Sequence, residues 1–132
     1  MPTKDVDELC LLGNKFANAG KYEQALSSYQ NALKLLPNTD DYVEERIWLF
    51  TSIGDMLFQL KRFYEAIIEL EKAYIGEVSN PFIHLRLGQC YYEVNNTQKA
   101  TEHLLQAFML DGPRIFEGEN FKYFNYIKPL VR

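Results

Sequence analysis

The feature that most limits the folds open to this chain is a recurrence of small residues. Three windows of equal length align without gaps: "LLGNKFANAGKYEQALSSYQNALKLLP" (11–37), "SIGDMLFQLKRFYEAIIELEKAYIGEV" (52–78) and "RLGQCYYEVNNTQKATEHLLQAFMLDG" (86–112). Each has a glycine in third place (Gly13, Gly54, Gly88), an alanine twelve residues on (Ala25, Ala66, Ala100) and another seven beyond that (Ala32, Ala73, Ala107). Large apolar residues share the register: Leu12, Ile53 and Leu87; Phe16, Leu57 and Tyr91; Tyr29, Leu70 and Leu104. Spacings of three, four and seven within each half describe two amphipathic helices. A glycine in mid-helix costs about 1 kcal/mol relative to alanine, so its return at one register means that close packing of helix axes offsets the cost. The helices break at Gly20-Lys21, Lys61-Arg62 and Asn95-Asn96, residue types suited to tight helical hairpins.

This pattern resembles the tetratricopeptide repeat, a helix-turn-helix unit of about 34 residues. The resemblance implies an all-α, right-handed superhelical solenoid of three repeats, 6–39, 47–80 and 81–114, closed by a C-terminal capping helix within 115–132, all in one domain. Leu9, Phe50 and His84 stand where the family often has tryptophan, and Pro37 alone fills the closing proline position, with Val78 and Gly112 in the others. The block "NPFIHLRLGQCYYE" together with the tail "FEGENFKYFNYIK" also looks like small bacterial single-domain members of the family.

Gly54 and Gly88 are 34 residues apart, but Gly13 and Gly54 are separated by 41. The extra seven residues fit best in "TDDYVEER" (39–46), whose early acidic residues favour a helix start. The first helix of the second repeat is therefore expected to begin near Asp41 and to project beyond its neighbours. In the third repeat Asn80 caps, Pro81 takes the first helical position, and residues 82–94 form the first helix. A stack of repeats leaves its last apolar face open. Phe121, Phe124 and Ile127 are expected to cover it from a short helix starting near Glu119 or Asn120.

In such a stack the first helix of each repeat lines the concave surface. The face left over after packing carries Asp7, Cys10, Leu11, Asn14, Ala17 and Asn18 in the first repeat. In the second it carries Trp48, Thr51, Ser52, Asp55, Phe58 and Gln59, and in the third Phe82, Leu85, Arg86, Gln89, Tyr92 and Glu93. Trp48, Phe58, Phe82 and Tyr92 are large aromatics on a surface that a spacer helix would make polar, and aromatics and arginine dominate binding hot spots. The expected partner-binding set is Asn14, Trp48, Ser52, Asp55, Phe58, Phe82, Arg86, Gln89 and Tyr92. One branch of the family grips the terminal carboxylates of heat-shock chaperones with a clamp of lysine, asparagine and arginine. Asn14 and Arg86 match that clamp, while Cys10, Ser52 and Phe82 occupy its other three positions. Both lysines are missing, so the resemblance does not extend to chaperone tails.

The formal charge is −4 and the pI about 5.2, which disfavours a nucleic-acid partner and suits a basic protein or peptide. The first residues lack a signal-peptide pattern and no apolar run approaches the roughly 20 residues of a membrane span. Cys10 and Cys90 show neither a disulfide framework nor metal-ligand spacing, which fits a reducing cytoplasm. His84 and His103 fall on different helices without further ligands, the acid pairs Glu44-Glu45 and Glu69-Glu71 read as solvated faces, and no phosphate or dinucleotide loop is present. No cofactor, metal or catalytic residue is expected. Three functions fit this reading: a module that binds a peptide or protein segment in the groove, an antidote that occludes a toxin, or a self-associating structural protein. The expected state is a monomer or weak homodimer.

Overall fold

The computed structural model describes residues 2–131. Seven α-helices follow one another: α1 Pro2–Asn18, α2 Tyr22–Leu35, α3 Val43–Gln59, α4 Phe63–Gly76, α5 Pro81–Glu93, α6 Thr97–Asp111 and α7 Phe121–Ile127. Short 3-10 turns sit at Asp40–Tyr42, Pro113–Phe116 and Lys128–Leu130, and the described residues contain no strand. Helices pair as hairpins, α1 with α2, α3 with α4 and α5 with α6, and successive hairpins meet through α2 against α3 and α4 against α5.

The small residues lie where the helices cross. A Cβ on Gly13 would approach the Tyr29 ring to 2.5 Å, one on Gly54 would approach Leu70 to 2.5 Å, and one on Gly88 would approach Leu104 to 2.6 Å. Ala25, Ala32, Ala66, Ala73, Ala100 and Ala107 are all fully buried. Glycine and alanine thus set the interhelical distance, and the larger residues of the shared register fill the space around them.

Each hairpin turn closes in the same way. Lys21 N–H donates to the Phe16 carbonyl (2.8 Å), Arg62 N–H to Leu57 (2.8 Å) and Asn96 N–H to Tyr91 (2.9 Å). The preceding residue is left-handed in every case, Gly20 at φ 74°, Lys61 at 61° and Asn95 at 65°. This is the helix-ending motif that glycine fits without penalty.

The inserted segment differs in detail from its expected form. Residues 40–42 make a 3-10 turn and α3 begins at Val43, two residues after Asp41. Arg46 holds the linker by donating to the carbonyls of Pro37 (3.0 Å) and Thr39 (2.7 Å). At 17 residues α3 is longer than the 13-residue α5 and equal in length to α1. Asn80 caps α5 through its side chain, accepting from Phe82 N–H (2.9 Å) and Ile83 N–H (3.3 Å), with Pro81 opening the helix.

The C-terminal cover needs a correction. Helix α7 starts at Phe121, with Asn120 accepting from Lys122 N–H (2.9 Å), but the Phe121 ring is 83% exposed. Ile127 is buried as expected, and Tyr123 takes the place of Phe121, in a cluster with Leu85, Leu104, Ala107 and Phe116, against which Phe124 packs. The 3-10 turn at Pro113–Phe116 brings Phe116 into the same cluster, within 5.3 Å of Phe124, centroid to centroid.

Candidate functional site: a concave face in two halves

Helices α1, α3 and α5 carry the residues expected on the concave face, and the C-terminal segment divides that face. At its C-terminal end Arg86 is 5% exposed and Gln89 is fully buried. The Arg86 guanidinium lies over the rings of Phe58 (4.6 Å) and Phe82 (4.7 Å). Its Nε donates to Asp55 Oδ1 (2.8 Å) and its Nη1 to Glu119 Oε1 (2.8 Å) and Gln89 Oε1 (2.8 Å). Gln89 Nε2 also donates to Glu119 Oε1 (2.8 Å). Burial works against the charge on Arg86, but Asp55 and Glu119 outweigh it and raise its affinity for the proton.

Tyr92 stands between Tyr123 (5.5 Å) and Tyr126 (5.2 Å), and Phe58 touches Phe63 and Tyr123. The Tyr123 hydroxyl donates to Glu93 Oε2 (2.8 Å), where Lys122 also binds (2.7 Å). Burial and then Glu93 push the Tyr123 phenol far above its ordinary value. Six of the nine expected residues, Asp55, Phe58, Phe82, Arg86, Gln89 and Tyr92, therefore belong to one network, with the chain's own C-terminal segment packed upon it.

The other end is open. Trp48 is 43% exposed and meets Tyr29 edge to face at 5.6 Å. The Tyr29 hydroxyl in turn donates to Asn14 Oδ1 (2.6 Å). Asn14 thus fixes Tyr29, and Tyr29 buttresses Trp48. Asp7, Cys10, Asn14, Glu45 and Trp48 line a cleft of about 240 Å³ between α1 and α3. Burial, and next to it Asp7, push the Cys10 thiol up, so it stays protonated at neutral pH. Ser52 is half-buried on α3, one helical turn beyond Trp48.

Three contributors escaped the sequence reading. Tyr29 falls in a core register and gives no sign that it supports a surface tryptophan. Glu119 and Tyr123 act on the groove only because the chain folds back over it, and no local pattern announces that. His84 and His103, which the sequence reading treated separately, meet through their Nδ1 atoms at 2.9 Å. His84 Nε2 faces the Val78 carbonyl (2.7 Å) and donates to it, so with both rings neutral His84 Nδ1 accepts and His103 Nδ1–H donates. Burial, then His84, lowers His103 to about 4. Among the described residues no helix is long and apolar enough to cross a membrane.

Similar proteins were found by sequence and by structure. The family model "Tetratricopeptide repeat" matches residues 6–39, the first hairpin. A curated mouse protein, DnaJ homolog subfamily C member 7, is 26% identical over 115 residues, 87% of this chain but 22% of that protein. The chain therefore spans about a fifth of that relative's length. The first tetratricopeptide domain of Spaghetti (RPAP3), solved with the HSP90 peptide SRMEEVD, superposes with a TM-score of 0.75 at 21% identity, covering 96% of this chain and 90% of that one. The Yersinia enterocolitica type III secretion translocator chaperone SycD superposes with a TM-score of 0.73 at 19% identity, covering 96% and 92%. Relatives from mouse and Yersinia alike mean that the comparisons do not single out bacterial stand-alone proteins. With its glycine and alanine crossings, its three like-ended hairpins and the match over residues 6–39, the chain is an all-α solenoid of the tetratricopeptide type.

Proposed function

We propose that the chain is a non-enzymatic interaction module that holds a peptide or protein segment against the open half of its concave face. The observation that carries this reading is Trp48: a large aromatic, exposed, buttressed from below and set beside a cleft. Such pre-positioned aromatics supply most of the binding energy at interfaces, since little order has to be created on association. A solved domain of this architecture bound to an HSP90 peptide supports peptide binding as the role of this chain.

A chaperone tail is a poor fit. Of the two clamp residues the chain retains, Arg86 is engaged by Asp55 and Glu119 and Asn14 accepts from Tyr29. A terminal carboxylate would have to displace an existing ion pair before finding a cation. The cytoplasm is the compartment we assign to the chain, on the evidence of two unpaired thiols, Cys10 and Cys90.

Affinity capture from the source cell, followed by crosslinking and mass spectrometry, tests the reading. Crosslinks from the partner should fall on α1 and α3 between residues 7 and 52 and disappear in Trp48→Ala. Crosslinks confined to α2, α4 and α6 would place binding elsewhere.

A further inference from the structure

We infer that the cleft between α1 and α3 receives one apolar side chain of a partner segment and that a lysine or arginine beside that side chain pairs with Asp7 and Glu45. The inference rests on the reading of the open concave half as a binding surface. The cleft measures about 240 Å³. Small-molecule sites usually enclose roughly 300–1,000 Å³, so a single side chain is the better-sized occupant. Buried Val6 and Leu49 line it together with Cys10, whose protonated thiol adds no charge. The walls therefore favour an apolar group.

The cation is argued from a contrast within the molecule. In the closed half, groove carboxylates and aromatic rings share a cation. Arg86 joins Asp55 and Glu119 while lying over Phe58 and Phe82. Lys122 binds Glu93 while lying over Tyr123 (5.1 Å) and Tyr92 (5.8 Å). The open half repeats the carboxylates, as Asp7 and Glu45, and the ring, as Trp48, but among the described residues neither acid has a basic partner within ion-pair distance. Indole is the aromatic that attracts a cation most strongly, and two carboxylates beside it add to that attraction. A segment that supplies the missing cation would complete the arrangement the chain builds for itself at its other end.

Selection of random twelve-residue displayed peptides against the full chain is the test, with emission of the single tryptophan, Trp48, as the readout of where each selected peptide binds. Selected peptides are expected to carry leucine, isoleucine, phenylalanine or methionine next to lysine or arginine and to shift Trp48 emission. They should lose about ten-fold in affinity to Asp7→Asn combined with Glu45→Gln. Both positions are exposed, so an unchanged thermal transition is expected and confirms that the variant is folded. Peptides that shift Trp48 emission but lack a basic residue, or bind the double variant as well as the parent, overturn the cation pairing and leave groove binding standing. If no selected peptide perturbs Trp48, the concave-face reading falls together with this one.

Discussion

The two halves of the concave face are made of the same kinds of residue and end in opposite states. At the C-terminal half, carboxylates, aromatic rings and a cation are closed upon one another by residues 113–131, and Arg86 and Gln89 have almost no contact with solvent. At the N-terminal half, Trp48 stands exposed beside Asp7 and Glu45, with none of the described residues laid across it. Residues 113–131 fold back over the groove of the third repeat, whereas among the described residues none packs on the cleft between the first two. One half of a repeated surface thus works as core while the other stays exposed as the proposed binding site, and composition alone does not distinguish them.

The largest expected effect tests whether the closed half is core. Arg86→Ala leaves Asp55 and Glu119 facing each other without their shared cation, and breaking a buried ion network in this way costs about 3–5 kcal/mol. Each acid keeps about a fifth of its side chain exposed, 24% for Asp55 and 19% for Glu119, so the low end, about 3 kcal/mol, is expected in urea unfolding. Arg86→Met with Asp55→Asn and Glu119→Gln should recover most of the loss. If Arg86→Ala unfolds like the parent, the tail is a loose flap rather than core.

Acidity separates the halves next. His103 on α6 is lowered to about 4, below its ordinary 6.5, by burial and then by His84. Between those two values the unfolded chain binds a proton that the folded chain refuses, so stability falls as pH drops from about 6.5 and levels off below about 4. At about 1.4 kcal/mol for each pH unit the ceiling is about 3 kcal/mol. Hydrogen exchange should show α5 and α6 losing protection first, and His103→Gln should flatten the profile in that interval. A uniform loss across all seven helices would mean that the pair has no local role.

Trp48→Ala is expected to give the reverse pattern to Arg86→Ala. Loss of the edge-to-face contact with Tyr29 costs about 1 kcal/mol of stability, while loss of a hot-spot aromatic costs about 2 kcal/mol of partner binding. Calorimetric titration of a captured partner segment into both variants gives the ratio. A stability loss as large as that of Arg86→Ala would make Trp48 a core residue and erase the contrast.

How much of this was legible in the sequence depends on the range of the interactions. The hairpins, their turns and the Asn80 cap follow from spacings within one repeat, and Gly13, Gly54 and Gly88 announce helix crossings because a side chain there has no room. The groove face of α1, α3 and α5 follows by geometry from the packed face. Its division in two does not, because Glu119 reaches Arg86 across 33 positions and Tyr123 reaches Glu93 across 30. The phase of the last helix was misjudged for the same reason. Phe121, Phe124 and Ile127 satisfy helical spacing as well as Tyr123, Phe124 and Ile127 do, and the contacts that bury Tyr123 come from Tyr92 and Glu93, about thirty positions earlier.

The smallest effect concerns the turn that closes α3. Lys61 closes α3 with φ 61°, where Gly20 and Asn95 close the flanking hairpins at 74° and 65°. A left-handed lysine pays for its Cβ, roughly 1 kcal/mol, which glycine avoids and asparagine partly relieves through its short side chain. Glycine recovers part of that by strain relief but loses part to the greater entropy of its unfolded chain. Lys61→Gly should therefore raise stability by a net few tenths of a kcal/mol, read as a small increase in thermal midpoint. Gly20→Ala should lower stability by about 1 kcal/mol, because that position has open space around it and only the backbone conformation opposes a side chain. Opposite signs at the two turns would show that the hairpins share one closing geometry. Equal signs would mean that Lys61, which lines a cleft with Glu119 and Tyr123, holds the C-terminal segment through its side chain.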